Sequence, residues 1–365
     1  MTELANGELV FDIRNRVAHL IFNRPQALNA ITHEMIKGLA ELFTRWAHDD
    51  GIHAIVLSGA GGKAFCAGGD IRALHESALA GGNMHHEFFI DEYRLDYQLH
   101  RYVKPVVCLL DGIVMGGGMG ISQGSGLRIV GPKTRMAMPE TGIGLFPDVG
   151  GSYFLSRSPV GLYLGLTGKM INATDAIYAR LADRYMTSEA IAQFCAALDT
   201  KTWSNNPAED VAALVEAHAC TPKEATSLEP LQGAIDRHFV PQKSVGDMLA
   251  SLATETQFSE WAIDTIATLK KRSPTLLEVT RRQLNRGGKQ TLAENFRMEL
   301  GIVYHCFEHG DLMEGIRAVI LDKDNSPQWN PATLDGVRES AVAAFFASRW
   351  NGQPHPLANL ESLYG

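Results

Sequence analysis

Two acidic residues, Glu140 and Asp148, stand close together in a segment that is otherwise apolar and rich in glycine and proline. The segment runs from Met138 to Gly151. Its two prolines, Pro139 and Pro147, each remove a backbone donor and fix φ, which predicts irregular chain rather than a continuous helix. A carboxylic acid among apolar groups has its neutral form favoured, which is one route to a general acid or base. A surface turn with two solvated acids is the alternative, and these residues alone do not decide between them.

Two further segments could bring backbone N–H groups to a ligand. Gly68 and Gly69 lie where a predicted strand gives way to a helix that begins near Ile71. Exposed N–H groups at such a position can bind an anion or an oxyanion. The segment Met115–Gly120 holds four glycines in a run of six and indicates a close approach to another segment or to a ligand. Neither segment fits the dinucleotide or P-loop patterns, which excludes nucleotide-phosphate binding of those two kinds.

The composition indicates a globular protein with room for a large core. The chain has 365 residues, of which 45% are hydrophobic and 20% charged. A net charge of -8 argues against a dedicated nucleic-acid binder. It leaves open a local basic patch, and the cluster Arg281, Arg282, Arg286 and Lys289 is either a solvated helix end or a phosphate contact. No run of 18 apolar residues occurs, so no membrane association is expected.

The cysteines and histidines do not form a metal or disulfide pattern. The five cysteines are scattered, odd in number and without a Cys-x-x-Cys pair. This favours reduced thiols and no metal site. Residues 1–15 contain three acids and no apolar stretch, so neither a secretory signal nor a transit peptide is predicted. We therefore expect a cytoplasmic protein.

The alternation of predicted strands and helices indicates an α/β fold with much parallel pairing in residues 1–200. Residues 201–365 are predicted to be a helical C-terminal region. We predict one long buried strand from Lys104 through Val114, a long helix from His86 to Arg101, and a helix from Thr174 to Ala182. Leu9–Asp12, Val17–Phe22 and Ala54–Gly59 are predicted strands, and Thr32 is a predicted N-cap.

Taken together, four segments in this order resemble the crotonase (enoyl-CoA hydratase/isomerase) superfamily. They are Asn23–Ala30, Phe65–Ile71, Met115–Gly118 and Pro139–Glu140 with its following glycines. Each is weak alone, but the ordered set is specific, and the resemblance covers most of the chain. It implies a spiral of ββα units, an acyl-CoA substrate whose coenzyme A is not a separate cofactor, and assembly as a trimer or a smaller homo-oligomer.

The resemblance also implies the site residues. The amides of Gly69 and Gly117 would form an oxyanion hole for the thioester carbonyl, each typically worth ~3 kcal/mol in acyl chemistry. Substrate contacts are expected from two segments. These contacts are Ala27, Leu28, Ala67, Gly68, Gly69, Asp70 and Ile71.

One branch of the superfamily, the 3-hydroxyisobutyryl-CoA hydrolases, is the more specific resemblance. Hydratases carry two catalytic glutamates; the second aligns with Glu140, whereas the first falls at Gly120, which has no side chain. Asp148 stands where hydratases have a small residue, and Glu92 on the long helix aligns with a substrate-contacting glutamate. This implies thioester hydrolysis of a short 3-hydroxyacyl-CoA in valine degradation, with Glu140 as nucleophile or general base and Asp148 beside it.

Two alternatives stay open at this point. One is another crotonase reaction, hydration or isomerisation, in which Asp148 replaces the missing acid. The other is a binding role without catalysis, including RNA binding, against which the acidic balance speaks.

Overall fold

The protein, described here from a computed structural model, is an α/β structure built on two sheets. The structure describes residues 1–350 and 352–364. The strands, in chain order, are β1 (Thr2–Leu4), β2 (Leu9–Arg14), β3 (Val17–Phe22), β4 (Ala54–Gly59), β5 (Ala64–Cys66), β6 (Val106–Leu110), β7 (Ile113–Met115), β8 (Leu127–Val130), β9 (Arg135–Ala137) and β10 (Arg184–Tyr185). Within the described residues, the larger sheet has the order β1-β2-β3-β4-β6-β8-β10 and the smaller one β5-β7-β9.

Successive strands alternate between the two sheets. β4, β6 and β8 join the larger sheet, and the strand that follows each of them joins the smaller sheet. The pairs β3–β4, β4–β6, β6–β8, β5–β7 and β7–β9 are all parallel, whereas β1–β2 and β2–β3 are antiparallel. The chain thus winds as a spiral of ββα units, and the predicted fold class is confirmed.

The helices cover the faces of the sheets and form the C-terminal region. They are α1 (His33–Ala47), α2 (Ile71–Leu79), α3 (Met84–His100), α4 (Gly117–Gly124), α5 (Gly151–Phe154), α6 (Gly161–Thr167), α7 (Ala173–Tyr178), α8 (Ser188–Thr200), α9 (Pro207–His218), α10 (Gln232–His238), α11 (Val245–Leu252), α12 (Ser259–Leu269), α13 (Pro274–Gly287), α14 (Leu292–His309), α15 (Leu312–Ile316), α16 (Glu339–Ala344) and α17 (Leu360–Leu363). A short π-helical segment, Arg317–Leu321, continues α15.

Helix α1 shows how local sequence sets these elements. Its apolar residues recur at helical spacing and are buried: Met35, Ile36, Leu39, Leu42, Phe43 and Trp46. Thr32 is the N-cap, as predicted, and its Oγ1 accepts a hydrogen bond of 3.2 Å from the Met35 N–H. The cap starts the helix and the stripe packs it on the larger sheet.

The prediction of one strand from Lys104 through Val114 is wrong. β6 ends at Leu110, and Asp111 and Gly112 turn the chain so that β7 enters the smaller sheet. A Cβ on Gly112 would lie 2.8 Å from the carbonyl oxygen of Lys63, so the turn needs glycine here. A uniformly apolar run cannot show such a turn, because both strands are buried.

Two predicted helices differ at their ends. The long helix α3 begins two residues earlier than predicted and ends one residue earlier. α7 ends at Tyr178 rather than Ala182, because Arg180 adopts φ +60° and the N–H groups of Leu181 and Ala182 both turn back to the Ala176 carbonyl.

The main hydrophobic core contains residues from both sides of position 200. Phe296 and Leu300 of α14 belong to the same cluster as Phe65 and Tyr93. The division into a core of residues 1–200 and a helical region of residues 201–365 stays a prediction. Within the described part of the chain, each helix is too short or too polar to cross a bilayer.

Candidate active site

A cavity of about 630 Å³ lies where the smaller sheet, α3 and the C-terminal region meet. Its wall contains nearly all the residues singled out from the sequence. These are Ala27, Ala67, Gly68, Gly69, Asp70, Ile71, Glu92, Gly117, Glu140 and Asp148. Leu28 does not line it; its carbonyl instead accepts a hydrogen bond of 3.1 Å from the Ala67 N–H, which joins the two predicted contact segments.

Glu140 begins a short 3₁₀ turn, Glu140–Ile143, directly after β9 and Pro139. The residue is buried, and its Oε1 lies 3.3 Å from where a Cβ on Gly116 would stand. Its Oε2 has no hydrogen-bond partner among the described residues. Burial raises the pKa of this carboxyl well above its usual range, and nearby Asp148 raises it further, while Arg272 opposes the shift.

Asp148 sits in the tight loop that leads to α5. Val149 has φ +52° and Gly150 φ +85°, so two successive residues are left-handed, which is costly for a β-branched valine. The Tyr93 hydroxyl of α3 donates a hydrogen bond of 2.8 Å to Oδ2 of Asp148. Burial raises the pKa of Asp148 to about 7, although this hydrogen bond lowers it. Asp148 can therefore change protonation near neutral pH.

The loop that carries Asp148 is fixed from the C-terminal region. Glu299 of α14 is fully buried, and its two oxygens each accept a hydrogen bond of 2.8 Å, from the N–H groups of Gly150 and Ser152. Gln283 of α13 donates to the Pro147 carbonyl. Burial raises the pKa of Glu299 to about 8, although these donors lower it. Helices distant in sequence thus determine where Asp148 lies.

Helix α3 places two more buried acids one turn apart, Glu92 and Asp96. Burial raises the pKa of both well above the usual range, and Asp148 adds to the shift. A Cβ on Gly117 would overlap Oε1 of Glu92, and one on Gly120 would lie 2.6 Å from Oδ2 of Asp96. The α4 glycines therefore make room for the carboxyl groups of α3.

Gly69 and Gly117 line the same cavity. Gly117 is the first residue of α4, so its N–H has no acceptor within the helix. Gly69 lies in an isolated bridge with Ile31, in which the flanking Gly68 carbonyl and Asp70 N–H make the hydrogen bonds. Among the described residues, neither amide has a hydrogen-bond acceptor. Both are available to an oxygen placed in the cavity.

Some residues at the site carried no signal in our interpretation of the sequence. Tyr93, Asp96, Arg272 and Glu299 each lie near Glu140 or Asp148. Asp96 does fall four positions after Glu92 and three after Tyr93, spacings at which helix side chains are neighbours. Arg272 and Glu299 are joined to the site only by tertiary packing.

Asp70 and the basic cluster, two other features singled out from the sequence, make contacts within the protein. Asp70 caps α2 through a 3.2 Å hydrogen bond from the Ala73 N–H and forms an ion pair of 2.7 Å with Arg24. In the basic cluster, Arg281 pairs with Glu278, and Arg282 and Arg286 lie near the ring of Phe346. No group of three or more His, Cys, Asp or Glu side chains within residues 1–350 and 352–364 could hold a metal ion.

The arrangement can perform acid–base or nucleophilic chemistry on a carbonyl compound. Acids whose pKa values are raised by burial share one largely apolar cavity with two amides that make no hydrogen bond among the described residues. Amides can stabilise an oxyanion, and a carboxylate beside it can attack a carbon or activate water.

Known proteins resemble this chain over nearly its whole length. The sequence profile described as enoyl-CoA hydratase/isomerase matches residues 17–346. A zebrafish protein named 3-hydroxyisobutyryl-CoA hydrolase, mitochondrial, is 40% identical over 95% of this chain and 91% of its own length. The human protein of the same name is 36% identical over 94% and 89%. A probable 3-hydroxyisobutyryl-CoA hydrolase of Arabidopsis thaliana is 35% identical over 98% of both.

Two solved structures share the fold. One, titled a carnitinyl-CoA dehydratase from Mycobacterium thermoresistibile, has a TM-score of 0.86 and 38% identity, covering 94% of this chain and 97% of its own. The other, titled an enoyl-CoA hydratase from Rhodobacter sphaeroides, has a TM-score of 0.83 and 33% identity, covering 93% and 97%. With the spiral fold, the cavity and these matches, the chain belongs to the enoyl-CoA hydratase/isomerase family.

Proposed function

We propose that this chain is an acyl-CoA thioester hydrolase that converts 3-hydroxyisobutyryl-CoA to 3-hydroxyisobutyrate and coenzyme A, a step of valine degradation. The observation that carries the proposal is the pairing of Glu140 with Asp148 in one buried cavity while Gly120 supplies no second glutamate. Relatives 35–40% identical over nearly the whole chain bear the name of this hydrolase. Coenzyme A is then part of the substrate, and we propose no separate cofactor.

The thioester oxygen would be held by the amides of Gly69 and Gly117. Both line the cavity, and each donor aimed at a developing oxyanion contributes about 3 kcal/mol. Because both donors belong to the backbone, they need no reorganisation as negative charge develops. The same two amides serve either route of bond breaking.

Glu140 would act on the thioester carbon by one of two routes. In the first, its carboxylate oxygen bonds to the carbon, the C–S bond breaks, and coenzyme A leaves as a thiol after taking a proton; water then opens the mixed anhydride. In the second, Glu140 takes a proton from a water whose oxygen attacks the same carbon, the C–S bond breaks, and Glu140 returns the proton to the leaving coenzyme A thiolate. The unpartnered Oε2 of Glu140 suits both routes.

Asp148 and Glu92 would bind the 3-hydroxyl group of the substrate. Both line the cavity, and burial raises the pKa of Glu92 while Asp148 raises it further, so the two do not readily ionise together. One neutral and one ionised carboxyl can donate to and accept from a single hydroxyl. This arrangement would favour 3-hydroxyacyl groups over plain acyl groups.

Hydration of an enoyl-CoA is the second candidate, because the two solved structures carry dehydratase and hydratase titles. A second catalytic glutamate at position 120 has no space here, since even a Cβ would lie 2.6 Å from Asp96 and from Val149. Hydration would therefore require Asp148 to act as that acid.

Free-thiol release from a panel of CoA esters tests the proposal. The panel is 3-hydroxyisobutyryl-, 3-hydroxypropionyl-, 3-hydroxybutyryl-, isobutyryl- and crotonyl-CoA. We expect thiol release confined to the 3-hydroxy esters. Consumption of crotonyl-CoA without thiol release would reject hydrolysis and support hydration.

The cytoplasmic location and the homo-oligomer of trimer size or smaller stay predictions. The vertebrate relatives are named as mitochondrial proteins, a different compartment.

Absence of RNA retention at low salt would remove the binding-protein alternative, because nonspecific RNA binding is electrostatic.

A further inference from the structure

Arg272 lies on the wall of the cavity, in the short connection between α12 and α13. Its Nε and one terminal nitrogen donate hydrogen bonds of 3.1 and 2.5 Å to the Thr167 carbonyl at the end of α6. The other terminal nitrogen, Nη1, has no hydrogen-bond partner among the described residues. One edge of the guanidinium is thus anchored, and the other remains available.

Two glycines leave the space that this guanidinium occupies. A Cβ on Gly142, inside the turn that begins at Glu140, would overlap Nη1 of Arg272. A Cβ on Gly168 would lie 3.2 Å from its other terminal nitrogen. Capping the C-terminal carbonyl of α6 would explain the anchored edge alone. It does not explain why Nη1 lies against the turn of Glu140.

The connection that carries Arg272 is itself tied to the Glu140 turn. The Ser273 N–H donates 3.2 Å to the Thr141 carbonyl, directly after Glu140. On the other side, Nε1 of Trp329 donates 3.0 Å to the Lys271 carbonyl. The backbone on both sides of Arg272 is therefore fixed, and the distance from its guanidinium to the turn is set by the fold.

Other acidic side chains share the cavity with Glu140. They are Asp148 from the following loop and Glu92 from α3, whereas Gly116, the residue before α4, contributes no charge. Asp311, near the Arg272 connection, has both oxygens engaged by Ser273 and by the Asn330 N–H. Three arginines line the cavity among the described residues. Arg24 is paired with Glu8 and Asp70, Arg72 donates a hydrogen bond of 3.1 Å to the Ile320 carbonyl, and Arg272 forms no ion pair within the described part of the chain.

We propose that Arg272 is a positioning residue that serves as the counter-cation of Glu140, holding it as the carboxylate that attacks the thioester or activates water. This role rests on the proposed function of Glu140, whereas the charge pairing itself can be measured without turnover. Burial raises the pKa of Glu140 and lowers that of Arg272, and the attraction between the two charges opposes both shifts.

The test is an infrared pH titration of the Glu140 carboxyl, assigned as the protonated-acid band that is absent in Glu140→Gln. Arg272→Gln should keep that band to a pH about one unit higher than wild type, since an opposite charge nearby typically shifts a carboxyl by that much or more. Arg272→Lys, which retains the charge, should titrate close to wild type. Lys270→Gln, an exposed cation in the same connection, is the matched control and should change nothing.

Gly142→Ala guards against loss of folding in the Arg272 variants. This variant keeps the arginine residue but pushes its Nη1 away from the Glu140 turn. The protonated Glu140 band should therefore also persist to a higher pH than in wild type. In thiol-release assays, Arg272→Gln should be slower by about tenfold at the acidic end of the profile and approach wild type at high pH.

An unchanged Glu140 band in both Arg272→Gln and Gly142→Ala would overturn the proposal, and so would an equal rate loss at every pH. A wild-type protein that releases no thiol but shows the expected band shifts would reject the hydrolase function and keep the charge pairing.

Discussion

Oδ2 of Asp96 lies 2.6 Å from the position that a Cβ on Gly120 would take. The Cβ of Val149 lies equally close to that position. Asp96 is fully buried, and neither of its carboxyl oxygens has a partner among the described residues. The space that a second catalytic glutamate would need at position 120 is therefore already filled.

Gly120→Ala should destabilise the protein by about 1–3 kcal/mol, the usual cost of inserting a group into a packed core. The free energy of unfolding in urea measures this. Gly301→Ala is the matched control: Gly301 lies within α14 with open space at its Cβ position. There we expect a gain of about 0.5–1 kcal/mol from helix propensity. Equal effects at the two positions would contradict the packing described for Gly120.

Glu140→Gln should lower kcat by about 10²–10⁴-fold, because an amide can neither attack the thioester nor take a proton from water. The affinity for coenzyme A, measured by calorimetry, should stay near that of wild type. The exposed Glu76 of α2 provides the control, and Glu76→Gln should leave kcat unchanged. Near-normal turnover in Glu140→Gln would end the role assigned to Glu140.

Tyr93→Phe should raise KM for 3-hydroxy esters at pH 7. Without the 2.8 Å hydrogen bond from the phenol, the pKa of Asp148 rises above about 7, and less carboxylate remains to accept the substrate hydroxyl. The KM difference from wild type should shrink at pH 9, where Asp148 is ionised in both proteins. Tyr97, one turn further along α3, packs against Phe296 and Tyr364, and Tyr97→Phe should not change the pH dependence of KM.

Glu299→Gln should lower both activity and stability. Gly150 and Ser152 each donate to a different oxygen of Glu299, and glutamine replaces one of these oxygens with an NH₂ group that would face a donor. We expect a loss of about 1–3 kcal/mol, and a fall in kcat as the Asp148 loop shifts. Glu308→Gln on the same helix removes partly exposed ion pairs with Arg349 and His309 and should cost less than about 1 kcal/mol. A kcat equal to wild type in Glu299→Gln would show that the loop keeps its place without this anchor.

The contribution of Glu299 to the free energy of unfolding should fall as pH rises from about 4.5 towards 8. Glu299 holds its proton to about pH 8 in the folded protein, whereas the unfolded chain releases it near 4.5. At this group the folded form therefore binds more protons in this window, and its contribution to stability declines as pH increases. Glu92, Asp96, Glu140 and Asp148 act in the same direction. Urea unfolding at several pH values should show a gentler slope in Glu299→Gln; parallel curves would contradict this account.

Local patterns in the sequence were enough to predict much of the fold. Each predictable feature depends on residues only a few positions apart in the sequence. These features are the apolar stripe and Thr32 cap of α1, the alternation of the strands, and the glycines beside Glu140. The break at Asp111 and Gly112 was missed because it divides two equally buried strands. The residue types of these two strands do not show which sheet each strand joins.

The site was predicted less completely, and for a related reason. Glu92, Glu140 and Asp148 stand in segments whose resemblance to a family indicates their roles. Arg272 and Glu299 come from helices of the C-terminal region, and only the packing of that region on α3 and the Asp148 loop brings them in. The raised pKa values likewise arise from burial by distant segments, which no local pattern records.

The contribution of the C-terminal region to the cavity has a consequence for synthesis on the ribosome. Val319, Ile320 and Asn325 line the cavity with Glu140, and the Asp148 loop is anchored by Glu299. While the chain emerges from its N-terminus, the spiral of strands can form first. Its acids stay hydrated, and their pKa values therefore stay in the usual range, until residues nearly two hundred positions later have been added. The carboxyl groups thus acquire their raised pKa values at the end of translation, and not when the strands that precede them form.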